Sequence, residues 1–67
     1  MTTEQATDLQ NALETMLNRI TTGGDITEQL LMIEQLSTDI ESTAPTMLNH
    51  YLQRKSYTKA LDFLKDM

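Results

Sequence analysis

Thr21-Thr22-Gly23-Gly24-Asp25-Ile26-Thr27-Glu28 is the stretch on which the fold turns. On its N-terminal side Ala6, Leu9, Leu13, Met16 and Ile20 follow spacings of 3, 4, 3 and 4, which lays one apolar stripe along a helix. Ala12 and Leu17 widen that stripe on either side. Gly23-Gly24 ends it, because glycine tolerates the left-handed conformation that closes helix termini. On the C-terminal side Asp25, with Glu28 three residues later, reads as a capping box. Ile26, Leu30, Ile33, Leu36 and Ile40 then share one face of a second helix. A link this short permits no crossover, so the two helices form an antiparallel hairpin.

Working outward, Thr2 or Thr3 can cap the first helix, with Glu4 and Gln5 suited to its first turn. Its span is about 3–22. Downstream, Pro45 poses a choice. Inside a helix it removes one hydrogen bond and clashes with the carbonyl four residues back, that of Glu41, at about 3 kcal/mol. One solution ends the second helix near Thr43 and starts another at Pro45. Against it, Ala44, Met47, Leu48 and Tyr51 return to the face that carries Ile33 and Ile40. That retained phase favours one helix over about 26–54, kinked between Ser42 and Pro45. A last helix, about 57–66, follows from Ser56 as a cap and from the stripe Tyr57, Ala60, Leu61 and Leu64, with Phe63 beside it. No strand-like alternation, repeat or low-complexity segment interrupts this pattern. The expected fold class is all-α, in a single domain spanning 1–67.

These lengths have a consequence for function. At 1.5 Å per residue the first helix extends about 28 Å and a continuous second helix about 42 Å. The first can then cover only part of the second. The sequence therefore predicts an apolar surface in the C-terminal third, formed by Met47, Leu48, Tyr51, Leu52, Tyr57, Leu61 and Leu64, that meets another protein chain.

Composition supports a partner by elimination. A chain of 67 residues buries a modest share of its surface and usually relies on disulfides, a metal or oligomerisation. Cysteine is absent, and the one imidazole, His50, cannot make a structural zinc site. Homo-oligomerisation or a hetero-complex is the expected source of extra stability. Ten acidic against five basic residues repel a phosphate backbone, so no nucleic-acid partner is expected. No apolar run reaches the roughly 18–20 residues of a membrane span. Met1-Thr2-Thr3-Glu4-Gln5 carries no secretory signature, and a cytoplasmic location is expected. The charge is uneven. Arg19 is the only base before residue 51, against eight acids, whereas Arg54, Lys55, Lys59 and Lys65 outnumber Asp62 and Asp66 after it. A basic tip could therefore meet an acidic body, in the same chain or a neighbour.

Chemistry is harder to find. His50 has no second histidine, cysteine or base-orienting partner nearby, as general acid–base work requires. Glu14, Glu34, Asp39 and Glu41 are dispersed over caps and polar faces, without the cleft that paired-carboxylate catalysis needs. Gly24-Asp25-Ile26-Thr27-Glu28 lacks the alternating oxygen ligands of a calcium loop, and Gly23-Gly24 stands in no phosphate-binding pattern. No enzymatic activity, catalytic residue, metal or cofactor is expected. Methionine is the one unusual excess. Met16, Met32 and Met47 suit either an ordinary core or a surface that grips a helix.

Two resemblances bear on the partner. Tyr51-Leu52, Ser56-Tyr57, Ala60, Phe63 and Asp66, within residues 48–66, resemble the LisH motif. It departs from that pattern in having Ser56 where the motif has a turn glycine, and Ala60 and Phe63 one position early relative to Tyr57. The resemblance implies a helical homodimerisation module with these apolar residues at its seam. In length, acidity and N-terminal hairpin the chain also resembles the small helical co-chaperones of type III secretion needle subunits. That resemblance implies an acidic chaperone or regulatory subunit pairing with one larger helical client.

Overall fold

The computed structural model describes residues 1–66. Four helices follow one another along the chain, α1 (Thr3–Thr22), α2 (Thr27–Ile40), α3 (Thr46–Gln53) and α4 (Tyr57–Lys65). The all-α expectation and the N-terminal hairpin hold. α1 packs against α2 and α4, and α3 packs against α4, so the chain is two hairpins laid together. The Cα radius of gyration, 11.0 Å, matches the value of about 11 Å for a compact chain of this length.

Local chemistry sets each boundary. Thr2 caps α1 in a reciprocal box: the Gln5 amide donates to Thr2 Oγ1 at 3.1 Å, and the Thr2 amide donates to Gln5 Oε1 at 2.9 Å. At the other end Gly23, at φ 78°, lets the Gly24 amide reach the Arg19 carbonyl (2.7 Å) and its own amide reach that of Ile20 (3.2 Å). The box expected at Asp25–Glu28 does not form. Ile26 occupies the cap position of α2, and Asp25 acts from one residue earlier. Asp25 Oδ1 accepts from both the amide (3.0 Å) and the hydroxyl (2.7 Å) of Thr27. Those two bonds, the backbone one foremost, hold the Asp25 carboxyl below its ordinary range. Ser56 takes the cap position of α4 without a bond from its hydroxyl.

Pro45 breaks the helix, which corrects the expectation of one kinked helix over 26–54. α2 stops at Ile40, and Pro45 adopts an extended ψ of 142° immediately before α3. The Glu41 carbonyl, which proline cannot satisfy, is taken instead by the side-chain amide of Asn49 at 2.8 Å. The Ala44 amide closes the turn onto the Ile40 carbonyl at 2.7 Å. The break therefore has its own hydrogen-bond partner, and a continuous helix would leave that carbonyl without one. Apolar phase survives because α2 and α3 face the same core.

α3 closes with the geometry of α1 but without glycine. The Ser56 amide donates to the Tyr51 carbonyl (2.8 Å) and the Lys55 amide to that of Leu52 (3.1 Å), with Lys55 at φ 60°. The left-handed position thus falls on Lys55, one residue before the serine that stands at the motif's glycine. A lysine there carries a penalty of roughly 1–2 kcal/mol, partly offset in a glycine variant by greater unfolded-state entropy. Lys55→Gly is expected to stabilise the chain by about 1 kcal/mol, raising the melting temperature by about 4–8 °C in a circular-dichroism melt. An unchanged or lower value would contradict the conformation at this turn.

The core runs through all four helices. Leu9, Leu13, Met16, Ile33, Ile40 and Leu48 are fully enclosed, joined by Ala12, Leu52, Ala60, Leu61 and Leu64. Here the second correction falls. Leu48, Leu52, Leu61 and Leu64, expected on a surface awaiting a partner, lie inside this single chain. The physical reason is the break at Pro45. It shortens α2 to 14 residues, which α1 with its 20 can cover, and folds α3 back under α4.

Candidate interaction surface

Of the seven residues expected to contact a partner, three remain accessible. Met47 is 51% exposed, and Tyr51 and Tyr57 are half-buried. Tyr51 rests edge-on against Phe63, with ring centroids 6.4 Å apart. Met47 lies one turn before Tyr51 on α3 and Arg54 one turn after it, just past the helix end, while Lys59, Asp62, Phe63 and Asp66 line a shallow hollow with Tyr51. This is a mixed apolar and charged ridge. Tyr57 instead turns toward α2, lining a groove with Ile33, Glu34, Leu52 and Lys55. Burial pushes its phenol above the ordinary value and the Glu34 carboxylate adds to the effect. A phenol held neutral in this way is no base at neutral pH.

Other sequence candidates are scattered. His50 is exposed on α3, with only its neighbour Tyr51 at ring distance, 6.1 Å. Among the described residues no three His, Cys, Asp or Glu side chains converge as a metal site. No helix among them is long and apolar enough to cross a membrane.

A different site emerges between α1 and α2. Asp8, Asn11, Ala12 and Thr15 of α1 face Gln29 and Met32 of α2 across an open groove of about 260 Å³. Gln29 is only 7% exposed, and its Oε1 is buried without a hydrogen-bond donor. An enclosed amide oxygen without a donor costs about 1–3 kcal/mol, and native chains carry few. Beside it Met32 is 43% exposed, and Leu31 is 62% exposed on the outer surface of α2. The rim is acidic. Glu4 stands one turn from Asp8, and Glu28 and Asp39 stand one and two turns from Met32. The nearest base, Arg19, is engaged with the Asp25 carbonyl at 3.3 Å.

Gln29 stands on the inward stripe of α2, three residues after Ile26 and four before Ile33. Its spacing is therefore the available signal, and counting only apolar residues passes over a polar side chain at that position; Met32 lies at the edge of the same stripe. Comparison of the chain with protein-family models, with curated proteins and with solved structures returned no match. The described residues form a four-helix fold with an acidic, methionine-edged groove.

Proposed function

We propose that this chain is a non-enzymatic protein-interaction module whose contact surface is the α1–α2 groove. One observation carries the reading: the buried, donorless carbonyl of Gln29, in a domain too small to spare the stability it costs. Turning the Gln29 amide into the groove to meet a donor on a partner would remove that cost on binding. Met32 and the Ala12 floor offer an adaptable apolar contact, and Asp8, Glu28 and Asp39 favour a cationic edge on the incoming surface. An amphipathic helix with lysine or arginine flanking an apolar stripe fits this description. The alternative, an acidic regulatory subunit that depends on one larger client, is less favoured because the core closes within a single chain.

Titrating the isotope-labelled chain with a cationic amphipathic helical peptide tests the surface. Amide shifts should cluster at Asp8, Asn11, Thr15, Gln29 and Met32, and weaken with added salt. Shifts centred elsewhere, or none up to about 1 mM peptide, would overturn the assignment.

A further inference from the structure

At Pro45 the local pattern and the fold diverge. Ile33, Ile40, Ala44, Leu48 and Tyr51 keep one helical face through the proline, and the turn itself retains helical features. Glu41 holds φ −50° and ψ −43°, and the Ala44 amide bonds the Ile40 carbonyl four residues back, as an unbroken helix would. The departure is at Pro45, with ψ 142°. The bond from Asn49 to the Glu41 carbonyl belongs to the turned form alone. In an unbroken helix those two residues stand about 12 Å apart along the axis, out of reach. Across this turn the two hairpins depend on each other. The core joins Leu13, Met16 and Ile33 of the first to Leu48, Leu61 and Leu64 of the second, and α1 packs against α4. The complement of each hairpin is thus the other hairpin, and every further copy of the chain carries the same one.

We propose that the chain has a second arrangement, in which α2 and α3 run on as one helix and two copies exchange their α3–α4 hairpins, and that Pro45 is the lock that keeps the single-copy form. The contacts between hairpins re-form between copies, so the exchange needs no new patch or charge pairing. Being reciprocal, it satisfies both copies and stops at a two-fold dimer. A short hinge is the usual site of such exchange. Pro45 opposes it because, in the unbroken helix, its ring meets the Glu41 carbonyl and its missing N–H leaves that carbonyl without a donor. In the turned chain Asn49 supplies the donor. The α1–α2 groove lies within one hairpin and passes unchanged into each half of the dimer.

Pro45→Ala tests the lock. Pro45 is exposed, so the substitution disturbs no core, and Pro45→Gln replaces it should the first variant fail to melt cooperatively. Each chain is refolded at about 1 mM as an equal mixture of isotope-labelled and unlabelled copies. Sedimentation equilibrium then reads the mass. A carbodiimide joins the Lys65 amine to the Glu14 carboxylate across their 3.9 Å contact, which links α1 to α4. The unaltered chain should hold its single-chain mass of 7.6 kDa, with both coupled peptides carrying the same label. Pro45→Ala should reach twice that mass, with labelled peptides joined to unlabelled ones. Its dimer should be about 10⁴-fold tighter, since one helix-internal proline is relieved in each of two chains. Its helical circular-dichroism signal should rise as residues 41–45 join the helix. A Pro45→Ala chain that stays at the single-chain mass would overturn the proposal. So would a dimer whose links join only peptides of one label, because that is two closed copies side by side. An unaltered chain that already mixes labels across the Glu14–Lys65 contact would show that Pro45 locks nothing.

Discussion

Replacing Leu48 by aspartate should leave the chain without a cooperative thermal transition. Leu48 is 0% exposed at the point where α3 meets the rest of the core. Truncating a buried leucine to alanine costs about 2–5 kcal/mol. Aspartate adds the burial of a charge with no partner, or the protonation needed to avoid it. A domain of this size has at most a few kcal/mol of net stability from one core, so the substitution exceeds what the fold can absorb. Met47→Asp, one residue earlier but exposed, is the control. It should keep the melting temperature within a few degrees, since surface changes fall within about 0.5 kcal/mol. A folded Leu48→Asp chain with a normal melt would mean that Leu48 faces outward after all. The same pair of melts guards against a misreading, because loss of association in Leu48→Asp would report unfolding and not a lost interface.

Gln29→Met is expected to act in the opposite direction. Methionine nearly matches glutamine in length and helix propensity, so the α2 backbone has no reason to move. The substitution removes the enclosed Oε1 and its desolvation cost and keeps the volume against α1. A gain of about 1–2 kcal/mol follows, or roughly 4–15 °C in melting temperature for so small a domain. If the groove is the binding surface, the stabilised variant should also bind more weakly, because the carbonyl that accepts the partner's donor is gone. A stability gain with unchanged peptide shifts would keep the packing argument and remove Gln29 from the interface. No gain at all would mean that the carbonyl is satisfied by solvent.

The hairpin was legible because its signals are local. Two glycines, an acidic residue before the α2 start and two stripes at helical spacing all act within a turn or two of the chain. The all-α class followed from the same stripes. What misled was the continuity of the apolar phase through Pro45. Phase reports which way side chains face, and two separate helices against one core can share it. The deciding contact, Asn49 to the Glu41 carbonyl, links residues eight apart through a side chain that periodicity treats as merely polar. From that one boundary the larger error followed. A continuous helix would have outrun its cover, and Leu48, Leu52, Leu61 and Leu64 would have needed another chain. With the break in place they have α1 and α4. The groove was hidden for a different reason, since an orphaned carbonyl is a property of packing between helices.

The two-hairpin layout also bears on how the chain reaches its native state. α1 with α2 and α3 with α4 are sequence neighbours, so each pair forms by closing a short loop. Only the seam between α1 and α4 must wait for distant segments to meet. Helical chains dominated by such local encounters fold in microseconds to milliseconds. A nascent copy would then mature well before it met a second one, leaving little time for swapped or half-built intermediates to be captured.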